Sequence, residues 1–165
     1  CHAAVSYDYP WSALIAHYKF GGEAGWARNF ALLMRSTPWV EPTLEEADMV
    51  LPMPLSPRRL SERGFNQSLV LARALAARKT EAALLLRVRD TASQAALDRQ
   101  ARLANVKGSF AVEPLQAQRV RGRRVVLVDD VMTSGASLFA AAEALRAAGA
   151  ARVCALVMAR TDDPQ

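Results

Sequence analysis

The chain is poor in cysteine and has no long apolar run, and each shortage excludes a class of protein. Its two cysteines, Cys1 and Cys154, are too few for a disulfide framework and lack the paired spacing of a metal site. The apolar runs, such as residues 82–86 (AALLL), are far shorter than the roughly 20 residues that cross a bilayer. No basic-then-apolar signal peptide begins the chain. We therefore expect a cytoplasmic protein without membrane insertion.

The two best-known phosphate-binding loops are also missing. The sequence has neither a GxxxxGK[ST] loop nor a GxGxxG loop. Yet 21 basic and 16 acidic residues give a net charge of +5, which suits an anionic partner such as nucleic acid, a nucleotide or a sugar phosphate. A basic surface that serves solubility explains the same surplus. The charge by itself does not choose between these interpretations.

Apolar periodicity predicts an α/β fold for the 165 residues. A buried strand, a helix and a second buried strand follow one another from residue 123 to 159, as in the right-handed crossover of a parallel sheet. We expect one open parallel sheet flanked by helices in a single domain, 1–165, with helices of residues 1–42 as a cover or edge and 43–165 as the ligand-binding core. The predicted strands lie within 3–9, 47–55, 83–89, 110–114, 123–128 and 152–159. Helices are predicted at 11–20, 26–36, 65–78 and 137–148, and extended loops at 56–67 and 90–109.

One stretch joins a predicted buried strand to a helix through polar residues: residues 125–138 are VVLVDDVMTSGASL. Asp129 and Asp130 come at the strand end, and ligands of open α/β sheets bind beyond that end. No acidic residue follows until Glu143, although a helix N-terminus favours one. The intervening hydroxyl and glycine residues suit a bound phosphate instead: Thr133, Ser134, Gly135 and Ser137.

Helix capping is the alternative interpretation of the same residues. Ser134 or Ser137 is then the N-cap, and the two aspartates stand in a solvated turn. Neither serine has Glu or Gln three residues later, so there is no capping box. Capping also leaves the two adjacent carboxylates, which repel each other, unexplained. We favour a ligand that lies between the carboxylates and the helix.

Residues 125–137 resemble the 5-phosphoribosyl-1-pyrophosphate (PRPP) signature of type I phosphoribosyltransferases. Over nearly the whole chain the sequence is similar to the ComF family, named for bacterial competence proteins. The segments that carry this similarity are YDYPWSALIAHYKFGG (7–22), LPMPLSPRRLSERGFNQSLVLARALA (51–76) and RVRDTASQAALDRQARLANVKGSF (87–110). Members commonly carry a cysteine-rich zinc ribbon before this region. The resemblance therefore implies a type I phosphoribosyltransferase fold, with Zn²⁺ only in a missing N-terminal segment of which Cys1 would be the remnant.

The resemblance implies a role for each residue of the signature. Asp129 and Asp130 would hold the ribose 2′- and 3′-hydroxyls as the catalytic pair. The 5′-phosphate would be held by Thr133, Ser134, Gly135, Ala136 and Ser137. Ala136 replaces a glycine often found there, a departure that matters only where the backbone must adopt a positive φ.

Two further segments correspond to parts of related enzymes. The residues after the first core strand would bind pyrophosphate, since arginine holds phosphate oxygens with two parallel hydrogen bonds: Ser56, Arg58, Arg59 and Arg63. A solvated basic turn or a DNA-phosphate contact explains Arg58 and Arg59 nearly as well. Gln94 and Arg102 would belong to a flexible loop that closes over the reacting sugar and excludes water. Lys19 is a candidate for a base-binding cover.

Two functional hypotheses from different classes follow. In the first, the domain binds PRPP with Mg²⁺ and transfers the phosphoribosyl group to a nitrogenous base or amine, with release of pyrophosphate. Mg²⁺ would bridge pyrophosphate and the ribose hydroxyls, mostly through water, and we expect no direct protein ligand to a metal. In the second, it is a non-catalytic module that binds PRPP, a nucleotide or single-stranded DNA and acts with DNA-uptake proteins. The acceptor and the oligomeric state stay open.

Overall fold

The computed structural model describes residues 1–20, 24–89 and 106–161. Its main sheet has four parallel strands in the order β1-β6-β5-β2, and a separate pair of antiparallel strands, β3 and β4, lies beside it. The strands are β1 (His2–Ser6), β2 (Met49–Pro52), β3 (Leu85–Arg87), β4 (Phe110–Val112), β5 (Arg124–Met132) and β6 (Arg152–Arg160). The expected open parallel sheet flanked by helices is thus confirmed.

Six α-helices lie within the described residues. They are α1 (Trp11–Phe20), α2 (Trp26–Ser36), α3 (Val40–Glu46), α4 (Pro57–Arg63), α5 (Gln67–Ala76) and α6 (Ala136–Ala147). Short 3₁₀ helices follow at Ala77–Lys79 and Pro114–Arg119. The boundary that we predicted at residue 42 falls inside α3. In the described part of the chain, no helix has the length and apolarity to cross a membrane.

The apolar run of β5 is buried on both faces of the sheet, as its unbroken pattern predicts. Val126 and Val128 pack into one core with α1, α2 and α5. Val125 and Leu127 point to the opposite face and pack into a second core with α6, β3 and β4. Residues 1–42, predicted as a cover or edge, contribute to the main sheet and to its first core. Strand β1 pairs with β6, and helices α1 and α2 pack into that core.

One predicted loop contains a helix, so that prediction is wrong. Residues 56–67, predicted as an extended loop, contain α4. Ser56 Oγ accepts a hydrogen bond from the Arg59 N–H at 3.4 Å, and Pro57 takes a first-turn position where its missing N–H costs nothing. Pro42, at the predicted boundary between the cover and the core, lies in the first turn of α3.

Strand β5 is longer than we predicted. Its pairing with β6 continues past the apolar run to Met132, which lies opposite Arg160. Its pairing with β2 stops at Val128, opposite Pro52. The two aspartates are therefore inside β5 but beyond the end of β2, so a strand borders them on one side and a cavity on the other.

Candidate active site

The aspartate pair is fixed where β2 turns away from β5. Met53 N–H donates a 2.9 Å hydrogen bond to Val128 O. Beyond this bond, the segment after β2 separates from β5. Asn66 then connects the loop after β2 to α5: its side-chain amide donates to Met53 O and its oxygen accepts from Leu69 N–H, both at 3.1 Å. The N-terminus of α5 is thereby held beside the aspartates.

Asp129 faces α5. Its Oδ1 accepts hydrogen bonds from Ser68 Oγ at 2.8 Å and from the Asp130 N–H at 3.0 Å. Burial and the charge of Asp130 raise the pKa of Asp129 to about 7, although Ser68 and Lys19 act in the opposite direction. The carboxyl of Asp129 therefore holds its proton more tightly than a solvent-exposed aspartate does.

Asp130 faces α1 and is 4% exposed. Its Oδ1 accepts from the Val131 N–H at 2.7 Å and lies 3.2 Å from Lys19 Nζ. Its Oδ2 is buried and has no hydrogen-bond partner among the described residues. A buried acceptor without a donor is unfavourable, and a ligand hydroxyl would supply the donor.

The first turn of α5 adds a second such acceptor. Gln67 is 4% exposed, and its Oε1 has no partner within the described part of the chain. Its backbone carbonyl accepts a 2.6 Å hydrogen bond from the Tyr18 hydroxyl. Burial, with the charge of Asp130, raises the pKa of Tyr18 above its usual range, so this hydroxyl stays a donor. Gln67 and Asp130 thus both present acceptors to one cavity.

The segment after β5 leads into α6 without a side-chain cap. Gly135 takes the N-cap position at φ +74°, and within the described residues the helix has no side-chain cap there. The capping alternative for Ser134 and Ser137 is therefore not supported. Ala136 is the first helical residue and is 2% exposed. The positive φ falls on the glycine before it, so the departure at Ala136 causes no backbone strain.

A cavity of about 200 Å³ joins these elements. Four basic side chains and the two aspartates line it, so its formal charge favours an anion when the aspartates bind hydroxyls. Its lining consists of Lys19, Met53, Pro54, Leu55, Arg59, Arg63, Gln67, Arg87, Asp129, Asp130, Val131, Thr133 and Ser137. The cavity therefore brings together the aspartates, part of the predicted phosphate loop and part of the predicted pyrophosphate segment.

The four residues predicted for pyrophosphate do not all reach this cavity. Arg59 and Arg63 line it, and the Arg63 guanidinium lies 5.0 Å from the centre of the Phe20 ring. Arg58 is outside the lining, with its side chain 81% exposed and 2.9 Å from Glu62. Ser56 is buried and caps α4. Arg58 is thus on the exposed side of α4, and the solvated basic turn that we considered for it is a helix.

The predicted 5′-phosphate residues lie between two depressions. Thr133 and Ser137 face the cavity with the aspartates. Ser134 and Gly135 line a larger groove of about 500 Å³ on the other side of the segment, together with Cys1 and Phe139. Gln94 and Arg102, predicted for a flexible loop, lie outside the described residues. The roles of all these residues stay predictions.

Sequence reasoning missed several side chains of the cavity. Ser68 and Arg87 were not singled out, and Gln67 only weakly, because a serine in a helix or an arginine in a strand carries no local signal for a distant carboxylate. Lys19 is predicted as a candidate for a base-binding cover, and its ion pair with Asp130 was not predicted. Among the described residues, no group of three or more His, Cys, Asp or Glu side chains is close enough to hold a metal ion.

Known proteins are similar to this chain in sequence. A family profile described as "Phosphoribosyl transferase domain" matches residues 66–165. The chain is 34% identical over 163 residues to the DNA utilization protein YhgH of Escherichia coli K12, covering 95% of this chain and 70% of that protein. It is 31% identical over 160 residues to Competence protein F of Haemophilus influenzae Rd, covering 93% and 69%.

A solved structure shows the same fold at lower sequence similarity. It is the allosteric regulatory enzyme of purine biosynthesis, which superposes with a TM-score of 0.50 at 22% identity. The match covers 82% of this chain and 25% of that one. With the parallel sheet, the aspartate pair at its carboxyl end and the profile over residues 66–165, the chain belongs to the phosphoribosyltransferase domain family, as a ComF-like member.

Proposed function

We propose that this domain binds PRPP together with Mg²⁺ and transfers the phosphoribosyl group to a nitrogenous acceptor, releasing pyrophosphate. The observation that carries the proposal is the cavity between the aspartates and the arginines of α4. Asp130 presents a buried oxygen without a donor, and the first turn of α6 has no side-chain cap. A ligand that carries both vicinal hydroxyls and phosphate groups complements both features: a hydroxyl would donate to the Asp130 oxygen, and a phosphate would bind at the start of α6.

The chain's own residues would act on the sugar by position and charge. Asp129 and Asp130 would accept hydrogen bonds from the ribose hydroxyls and stabilise the positive charge that builds on the sugar as the bond from C1′ to pyrophosphate breaks. The electron pair of that bond leaves with pyrophosphate near Arg59 and Arg63. The acceptor nitrogen forms the new bond to C1′ and loses its proton. Holding both reactants in line is the main contribution of the protein.

Mg²⁺ fits this site as a companion of the ligand. Magnesium in phosphate sites keeps several waters and is held largely by phosphate oxygens, so it does not require a cluster of protein ligands. Pyrophosphate near Arg63 and the ribose hydroxyls at Asp129 and Asp130 would hold it, and it would neutralise charge on the leaving pyrophosphate.

The first experiment is PRPP titration by calorimetry with and without Mg²⁺. The wild-type protein should bind, and the double variant Asp129→Asn/Asp130→Asn should lose measurable binding while keeping its circular dichroism spectrum. Asp48→Asn is the matched control, because Asp48 pairs with Arg124 at the opposite end of β5. Unchanged PRPP affinity in the double variant would show that the site is assigned wrongly. Pyrophosphate release on addition of candidate bases then tests transfer itself.

The second candidate is a non-catalytic module that binds single-stranded DNA or a nucleotide. The names of the two relatives, a DNA utilization protein and a competence protein, favour it, as does the net charge of +5. DNA binding that weakens steeply with salt and is insensitive to PRPP would support this candidate over the enzyme. A cytoplasmic location belongs to both proposals and stays a prediction.

A further inference from the structure

Lys19 brings a positive charge from α1 to the aspartate pair. It is near the C-terminal end of α1, and its Nζ is 3.2 Å from Asp130 Oδ1 with the lysine side chain only 17% exposed. The carboxylate that it contacts is 6% exposed and has its second oxygen unpartnered in the described structure. The lysine therefore contacts one oxygen of Asp130, and the other oxygen has no partner among the described residues.

We propose that Lys19 is a positioning residue for the sugar: it orients Asp130 through Oδ1 and places a positive charge beside the aspartate pair, so that Oδ2 accepts a ribose hydroxyl. This inference rests on the proposed function, because it needs a sugar at the aspartates. It adds that a residue of the first helix, Lys19, is needed for the sugar to bind. The sequence alone made Lys19 a candidate for a base-binding cover.

The charged groups around the pair support this assignment. Lys19 approaches from α1, with Tyr18 beside it, and Ser68 approaches from α5. Arg59 and Arg63 from α4 and Arg87 from β3 line the same cavity. Of these cations, Lys19 makes the ion pair with Asp130, and its charge opposes the rise in the pKa of Asp129. A cation beside two adjacent buried carboxylates offsets their mutual repulsion.

The alternative is that the ion pair serves only to attach α1 to the sheet. Loss of a buried partner would then lower stability, since an uncompensated charge is left behind, but it would leave PRPP affinity and its pH dependence unchanged. The pH profile of PRPP binding therefore separates a positioning residue from a structural tie.

The experiment measures PRPP affinity from pH 6 to pH 9 for the wild-type protein, Lys19→Met and Lys19→Arg. Lys19→Met should move the midpoint of the affinity profile upward by about one pH unit and weaken binding at pH 7 about tenfold, with most of the loss recovered at pH 9. Lys19→Arg keeps the charge and should stay within about twofold of the wild type. If Lys19→Met does not fold, Lys19→Gln replaces it.

Two controls isolate the cause. Lys79→Met removes a lysine that bonds the carbonyls of Leu44 and Glu45 outside the cavity, and it should leave the profile unchanged. Arg63→Met removes a cation from the cavity but not from Asp130, and it should weaken PRPP at every pH without moving the midpoint.

The outcomes distinguish this inference from the proposed function. If the wild-type protein binds PRPP and Lys19→Met lowers only the melting temperature, Lys19 is a structural tie and the inference is wrong. If the wild-type protein does not bind PRPP at any pH, the proposed function fails and the inference fails with it. A midpoint shift that Lys19→Arg prevents would support both.

Discussion

Ser68 Oγ donates a 2.8 Å hydrogen bond to Asp129 Oδ1, from a position 61 residues earlier in the chain. The bond joins the first turn of α5 to the carboxyl end of β5. Because the hydroxyl donates to the charged form of the carboxyl, it lowers the pKa of Asp129 against the effects of burial and of Asp130. One hydroxyl thus connects the packing of a helix to the charge of the site.

Ser68→Ala should therefore raise the pKa of Asp129 further and weaken PRPP binding at pH 7, with recovery at higher pH. Stability should also fall by about 1–3 kcal/mol, because the carboxyl loses a buried donor. A pH series of calorimetric titrations and a urea unfolding curve measure the two effects.

Ser109→Ala is the matched control for this prediction. Ser109 is fully buried and its Oγ has no partner in the described structure, so its removal should be neutral or stabilising and leave PRPP affinity unchanged. Equal loss of affinity in both variants would contradict the role given to Ser68.

The pKa of Asp129 also predicts a pH dependence of stability. The folded protein holds a proton on Asp129 up to about pH 7, whereas the unfolded chain releases it near pH 4. The folded state therefore binds more protons between these values, and the contribution of this group to stability declines as pH rises from about 4 to 7, on the order of 2–4 kcal/mol.

Urea unfolding of the wild-type protein and of Asp129→Asn at pH 5 and pH 8 measures this decline. The asparagine keeps an oxygen for Ser68 but does not titrate, so its stability should change less between the two pH values. His2, whose pKa is lowered mainly by burial, contributes equally in both proteins and cancels in the comparison. An identical pH dependence in the two proteins would contradict the raised pKa.

Gly135 should be needed for the shape of the phosphate segment. Gly135→Ala places a side chain at φ +74°, and its Cβ would lie 3.4 Å from Met132 Sδ, so we expect a stability loss of about 1–2 kcal/mol and a reduced affinity for PRPP. Gly122→Ala has the same backbone cost at φ +71° with no atom within 4 Å, and it should lose stability without losing affinity. Unfolding curves and calorimetry of the two variants decide the matter.

The two arginines of α4 provide a direct test of the cavity. Arg63→Met should weaken PRPP binding about tenfold or more, because it removes a guanidinium from the lining and buried charge-assisted bonds are strong. Arg58→Met, at the exposed pair with Glu62, should stay within about twofold, as is usual for a surface ion pair. The reverse order of the two effects would exclude the predicted pyrophosphate position.

Patterns with a local physical cause were predictable from the sequence. The continuous apolar run of residues 125–128 indicated a strand buried on both faces, and the aspartates that follow indicated a polar site. Helix α4 was predicted as a loop because its charged residues have no apolar face. Its start signal, a serine before Pro57, was present in the sequence.

Relationships between distant segments were not predictable. Nothing local to Lys19 or Asp130 indicates that α1 crosses the carboxyl end of β5. The antiparallel pairing of β3 with β4 depends in the same way on tertiary packing, because the short apolar runs at Leu85 and Phe110 fit a parallel strand equally well.

The strand order has a consequence for any shortened form of the protein. Both outer strands of the sheet, β1 and β2, come from the first 52 residues, while β5 and β6 lie between them. A fragment of residues 66–165 would keep the aspartates and the α6 segment but expose two bare strand edges, which invites aggregation. It would also lack Lys19 and Arg63. The first 65 residues therefore both cover the edges of the sheet and complete the charged lining of the cavity.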